Sequence, residues 1–412
     1  GAGQPPAFET ISTGLAWSAT VITGSTLSAA VNVGYWINTT SNTCTITLPG
    51  SASVGDEIIF SDYARTWGTN KVIIDSNGLN FQGEDDTFTV DYDTNGQAVN
   101  IVYSGATKGW IPLDDDDTAF EPVEPQTQRA IFGFGYTGSY TAITNLVNNL
   151  GVVAANVTGV GTVRNFLAAA TYGNDKAIFG YGTTGSKVSM TNLVSSSGVV
   201  ATDVTGVGSA RDRLGAAAYG GDKAIFGYGN TGSYVSLTNL VNNSGVVASD
   251  VSGVGTARHD LAAAGYGEDK AIFGYGNTGG TKFSMTNLVN NSGVVSADVT
   301  GVGLARIGLA AAKYGTDKAL FGYGNTGDYT AVTNLVSNTG VVASDTTGVG
   351  SVRRELAASS YGSDKAIFGY GDGAPGIVSM TNLVSSSGVV AADVTGVGTG
   401  RSGLSAAGYS FS

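Results

Sequence analysis

Six arginines stand in register at Arg164, Arg211, Arg258, Arg306, Arg353 and Arg401, 47 or 48 residues apart. A guanidinium is a rigid fork of five donors, always charged. Six of them could grip an anion together, or each could satisfy backbone carbonyls or a carboxylate within its own repeat. Asp203, Asp250, Asp298, Asp345 and Asp393 recur at a matching spacing, with Asn156 in the first copy. Every copy keeps the same residue types, whereas a ligand site on a repeated scaffold normally breaks the repeat. The arginines are therefore expected to be structural. Paired charges recur as Asp175–Lys176, Asp222–Lys223, Asp269–Lys270, Asp317–Lys318 and Asp364–Lys365. They sit among glycines and read as solvated turn residues rather than acid–base pairs. His259 stands beside Asp260, but a nucleophile or metal role would need partners that the sequence does not offer. One histidine and one cysteine, Cys44, exclude a multi-His site, a Cys-based zinc site and an internal disulfide framework. No catalytic residue, metal or cofactor is expected.

Two places where the copies vary bear on binding. One is a loop that also absorbs both one-residue length changes. It reads Tyr136-Thr-Gly-Ser-Tyr140 in copy one, Asn277-Thr-Gly-Gly-Thr-Lys-Phe283 in copy four and Asp372-Gly-Ala-Pro-Gly-Ile377 in copy six. The other is the pair of residues after each recurring arginine: Asn165-Phe166, Asp212-Arg213, His259-Asp260, Ile307-Gly308, Arg354-Glu355 and Ser402-Gly403. If both places emerge on one face, that face carries Tyr140, Phe166, Lys187, Arg213, Tyr234, His259, Lys282, Tyr329 and Arg354. These nine are the candidate ligand-binding residues, because loops on a rigid scaffold are where binding usually resides.

The elements that position them are short strands. A basic residue opens an Ala-Ile/Leu-Phe-Gly-Tyr/Phe-Gly segment at Arg129, Lys176, Lys223, Lys270, Lys318 and Lys365, spaced 47 or 48 residues apart to the end of the chain. Each repeat reads as four strands, illustrated by Lys176–Gly182, Met190–Val194, Val199–Val204 after a Ser-Ser-Ser-Gly198 turn, and Leu214–Tyr219. Runs of four to seven residues between Gly, Asn, Asp and Ser are strand signals, and the glycine spacing forbids helices. Four strands per such unit indicate a propeller blade; a β-solenoid is the competing array, and it would want atypical capping repeats. The Ala-rich segments, such as Leu261-Ala-Ala-Ala264, suit a crowded innermost strand. Copy one lacks such a segment before Arg129, and copy six supplies a spare one at Leu404–Tyr409, so the last strand is expected to complete the first blade.

Three parts follow: a non-repetitive strand-rich module over 1–110, an acidic, Pro-containing linker over 111–128 that includes Asp114 to Asp117, and the array over 129–412. Asn95-Gly96 reads as a hairpin turn. The formal net charge of −12 argues against a nucleic-acid backbone as partner. No apolar run reaches membrane-spanning length, so membrane insertion is not expected. Gly1 opens the chain without Met, so a preceding segment is expected.

Two resemblances add to this reading. Arg258, Leu261-Ala-Ala-Ala264-Gly-Tyr266 and Lys270-Ala-Ile-Phe-Gly-Tyr-Gly276 resemble the kelch type of β-propeller. Gly-Tyr-Gly replaces the kelch double glycine, and the kelch outer-strand Trp is absent. In the module, Gly34-Tyr-Trp-Ile-Asn-Thr-Thr40, Thr45-Ile-Thr-Leu-Pro49, Gly55-Asp-Glu-Ile-Ile-Phe-Ser-Asp62, Lys71-Val-Ile-Ile-Asp75 and Ala98-Val-Asn-Ile-Val-Tyr103, ending at Gly109-Trp110, resemble a small β module of tailed-phage tail and fibre proteins. The expected fold is all-β: a β-sandwich-like module followed by a six-bladed kelch-like propeller closed by its C-terminal strand. The resemblances imply a virion protein, a tail fibre or appendage subunit. Its module would hold other virion proteins, as a homotrimer, and its propeller would bind a host-surface glycan. The alternatives are a capsid-decorating head fibre without a receptor role and a glycan-active propeller enzyme.

Overall fold

The computed structural model describes residues 15–84, 89–113, 128–374 and 376–410. The described chain is all-β, without a helix, and divides into two units, Gly1–Pro125 and Gln126–Ser412.

The first unit has strands β1 (Ala16–Ile22), β2 (Thr26–Ser28), β3 (Val33–Ile37), β4 (Cys44–Thr47), β5 (Glu57–Asp62), β6 (Val72–Asp75), β7 (Thr89–Tyr92), β8 (Ala98–Tyr103) and β9 (Trp110–Pro112). They form two sheets, ordered β1-β3-β5-β8-β9 and β2-β4-β6-β7. Successive strands from β1 to β6 alternate between the sheets and pair in parallel within each, so the chain winds rather than folding into hairpins. Only β7, β8 and β9 pair antiparallel. Alternating residues point inward, so Ile58 and Phe60 join Ile37, Ile46, Ile74, Trp67 and Trp110 in one core. Two sheets thus lie over one core. The hairpin expected at Asn95-Gly96 does not form, because the strands on either side lie in different sheets. The buried Asp62 carboxylate holds that turn instead, accepting from the amides of Gly96 at 2.9 Å, Thr66 at 3.1 Å and Trp67 at 3.2 Å. Strand β9 extends through Ile111 and Pro112, which the sequence reading assigned to the linker. The rest of the acidic linker, 114–127, lies outside the described residues.

Among the described residues the second unit holds seven three-stranded antiparallel sheets: six of one design, and a small one of Arg353–Arg354, Asp372–Gly373 and Gly376–Ile377. In the second sheet the inner strand Ala168–Tyr172 pairs with the middle strand Lys176–Gly180, which pairs with the outer strand Thr191–Val194. Each inner strand neighbours those of the preceding and following sheets, and Ser405–Tyr409 neighbours both Ala357–Tyr361 and Ala168–Tyr172. Ser405–Tyr409 is itself the inner strand of the first sheet, paired to Arg129–Gly133.

The expected fourth strand is not a continuous ladder. Val199–Val204 touches the outer strand only through two isolated bridges, Val194↔Val200 and Thr191↔Val204. Between them Asn192 turns its amide onto Ala201 O at 3.0 Å and Asp203 Oδ1 at 2.9 Å, taking the place of a backbone bond.

The middle strands explain the repeat motif. Adjacent residues point to opposite faces, so Ile178 and Phe179 enter different cores, each shared between neighbouring sheets. Six such cores run in sequence, the last joining Ile367 and Tyr370 of the sixth sheet to Phe132 of the first. Each buried Phe contributes on the order of 2 kcal/mol by leaving water. The first Gly of Gly-Tyr-Gly makes room for that ring. A Cβ on Gly180 would lie 2.7 Å from the Phe226 ring, and one on Gly369 would lie 2.7 Å from Phe132.

Candidate functional site

Each recurring arginine ends the crossover into an inner strand and is fully buried. Arg164 donates from Nε to Tyr181 O at 2.9 Å, from Nη1 to Thr162 O at 3.1 Å and from Nη2 to Asn192 Oδ1 at 2.7 Å. Its guanidinium lies 4.3 Å from the centre of the Phe134 ring in the neighbouring sheet. Arg211, Arg258, Arg306 and Arg353 repeat these contacts. Burial pulls the Arg164 guanidinium down to about 10, with Asp203 opposing the shift. Burial alone would raise the Asp203 carboxyl. Hydrogen bonds from Thr162, Asn192 and the Thr162 amide, with Arg164, outweigh it and hold the carboxyl below its ordinary value. With the donor fork occupied by protein and no exposed surface, these arginines staple sheets rather than bind an external anion. Arg401, in the crossover into the inner strand of the first sheet, is the exception. Asn156 replaces the aspartate, and Arg401 Nε and Nη2 have no hydrogen-bond partner among the described residues.

Two residues after each arginine the backbone turns left-handed. The φ angles are 51° at Phe166, 56° at Arg213, 54° at Asp260, 60° at Gly308, 52° at Glu355 and 59° at Gly403. These six residues form a closed cycle of backbone hydrogen bonds. Phe166 donates to Gly403, Arg213 to Phe166, Asp260 to Arg213, Gly308 to Asp260, Glu355 to Gly308 and Gly403 to Glu355, all between 2.7 and 3.0 Å. The cycle borders a cavity of about 110 Å³ lined by the start of every inner strand. Only two of the six residues are glycine, so four side chains hold a conformation that costs about 1–2 kcal/mol each.

Those side chains break the repeat and are tied to the variable loops. Arg213 donates to Asp260 Oδ1 at 2.8 Å and covers the Phe166 ring at 3.7 Å. His259 Nδ1 lies 3.0 Å from Asp260 Oδ2, and Tyr234 stacks on the His259 ring at 4.7 Å. On the fifth and sixth sheets Arg354 reaches Asp372 at 3.3 Å and Glu355 at 3.7 Å, and lies over the Tyr329 ring. Tyr329 donates to Asp372 at 2.8 Å. Lys187 and Lys282 each reach the next loop, at Asn230 and Asn325. Tyr140 packs edge-on against Tyr136, and Tyr136 is bridged to Ser402 of the last crossover.

All nine sequence candidates thus lie at loop–crossover junctions, where isolated bridges such as Asp212↔Asn230 and His259↔Asn277 join the two variable segments. The structure adds Asp212, Asp260, Glu355 and Asp372, which the sequence marks only as variable. Two of these carboxyls are shifted in opposite directions. Burial raises Glu355, and Arg354 and Arg213 offset this only in part. Burial also acts against the charge on Asp260, but His259 and Arg213 outweigh it and hold Asp260 below the ordinary carboxylate value. The mouth therefore presents a charged acceptor, a carboxyl biased towards its protonated form, cationic donors and aromatic faces within one rim. No metal-binding group of His, Cys, Asp and Glu occurs among the described residues. No protein-family model matches the chain, and no characterised protein matches it in sequence.

Proposed function

We propose that residues 128–410 form a six-bladed propeller of kelch-like design, and that its crossover mouth binds a hydroxyl-rich ligand, a glycan of a host surface. The cyclic order of the inner strands, and the pairing of Ser405–Tyr409 with Arg129–Gly133, support closure. The observation that carries the binding site is the hydrogen-bonded cycle. Its six backbones are alike, yet its side chains are Phe, Arg, Asp, Gly, Glu and Gly. A scaffold with no ligand would favour glycine at every left-handed position. Sugars are recognised by paired donors and acceptors with aromatic faces against their C–H surfaces, and the mouth offers both.

The sequence resemblance of residues 34–110 to phage tail and fibre modules supports reading the protein as a virion component, a tail or capsid appendage. In this reading the module joins other virion proteins, as a homotrimer. The experiment is immunogold labelling of particles with antibody against residues 129–412, together with a host adsorption assay in which the purified full-length chain competes. Label at the tail tip with adsorption blocked supports receptor binding. Label over the capsid without competition makes the protein a head decoration and removes the glycan role.

A second reading, a glycan-cleaving enzyme, is favoured only by the opposite shifts of Glu355 and Asp260, because pairs of carboxyls set apart in this way serve as acid and base. Release of reducing sugar from host polysaccharide, lost in Glu355→Gln, would establish it.

A further inference from the structure

At their other ends the same inner strands enclose a second, larger cavity of about 330 Å³, within the roughly 300–1,000 Å³ range of small-molecule sites. Its wall mixes alanines of the inner strands with polar groups. The position of each inner strand that pairs with the Ala of the middle strand is Thr171, Ala218, Gly265, Lys313, Ser360 and Gly408. Five repeats keep this position small and uncharged, so the fold does not need a lysine there. Lys313 and Glu268 are the two charged residues in the lining.

Lys313 is half-buried and makes no hydrogen bond or ion pair among the described residues. Burial depresses its pKa, with Glu268 and Asp317 opposing. Several other polar groups of this cavity are already engaged. Gln128 donates to Ser360 Oγ at 2.9 Å and accepts from the Ser363 amide at 2.7 Å, and Thr171 donates to Gly408 O at 2.7 Å. The site thus has one unpaired ammonium, one nearby carboxylate and walls that mix alanines with polar groups.

We propose that this cavity is a second binding site, distinct from the crossover mouth, for a small hydroxylated monocarboxylate of the sugar-acid class. The ligand carboxylate pairs with Lys313, its hydroxyls donate to Glu268, and its C–H face lies on the alanines. Glu268 disfavours a dianion such as phosphate by placing a like charge in the same cavity. The reading does not depend on the function of the mouth.

The test is calorimetric titration of the full-length protein with sodium glucuronate, glucose and inorganic phosphate as probes. Glucuronate is expected to bind saturably, and more tightly than either glucose or phosphate. Lys313→Ser copies the residue at Ser360, and is expected to keep the melting profile while weakening glucuronate about tenfold or more, as loss of a charged hydrogen bond does. Glu268→Gln is expected to weaken glucuronate and to strengthen phosphate relative to it. No saturable glucuronate binding, equal affinity in Lys313→Ser, or tighter phosphate than glucuronate in the unaltered protein would each overturn the assignment.

Discussion

Glu355 brings together the two tensions of the crossover mouth. Its backbone is left-handed with φ of 52°, and its carboxyl is buried beside Arg354 with its pKa raised. Glu355→Gly adopts the residue that the same position has at Gly308 and Gly403. It is expected to stabilise the chain by about 1 kcal/mol through relief of left-handed strain, while weakening host adsorption. The midpoint of urea unfolding reports the first effect; a lowered midpoint would show that the glutamate contacts outweigh the strain. The sign of the pH effect follows from the direction of the shift. A carboxyl raised on folding binds its proton more tightly in the native state, so stability is lost as pH rises from its ordinary value near 4.5 through the folded value. The unfolding free energy of the unaltered protein minus that of Glu355→Gln is expected to fall over that window. Asp203, Asp250, Asp298 and Asp393, shifted downward, push the other way, but they are common to both proteins and cancel in the difference.

At the scale of elements, the strand Ser405–Tyr409 bears on whether the array is closed. It lies antiparallel to Arg129–Gly133, pairing Ala130 with Gly408 and Ile131 with Ala407. It also completes the core shared by Phe132, Ile367 and Tyr370. The first sheet is the least well satisfied of the six, because Arg401 lacks both the carboxylate and two of the bonds made by its counterparts. Removing 401–412 strips the middle strand of its inner neighbour and opens two cores to water. Thermal melting followed by circular dichroism is expected to lose the cooperative transition of the second unit. An unchanged profile would refute closure. The same scale explains the motif that departs from kelch. Tyr181 and its equivalents are left-handed, with φ near 64°, and carry the ring over which the next arginine lies, so Gly-Tyr-Gly couples a bulge to a sheet-to-sheet contact.

For the whole molecule, the two units have separate cores. Calorimetry of the full chain is therefore expected to resolve into two transitions, one of which is reproduced by residues 128–412 expressed alone. A shift of more than about 5 °C in that fragment, equivalent to 1 kcal/mol or more in a domain of this size, would show that the first unit stabilises the second.

The sequence alone specified strands, turns and repeat register. Those depend on short-range properties: alternating burial in Ile-Phe, glycine at left-handed turns, small side chains on the innermost strand. It also assigned the arginines a structural role, since a residue type kept in every copy serves the repeat. Other features required the tertiary structure. Asn95-Gly96 has the chemistry of a hairpin, but the distant Asp62 carboxylate captures its amide and carries the chain between sheets. Val199–Val204 has strand propensity, but Asn192 competes for its backbone. Phe166, Arg213, Asp260 and Glu355 are separated by dozens of residues and share one rim only because crossovers from every sheet converge there. Burial raises both Asp260 and Glu355, and only the neighbouring His259 and Arg213 reverse the shift at Asp260; what packs around each carboxyl is a non-local quantity that residue spacing does not encode.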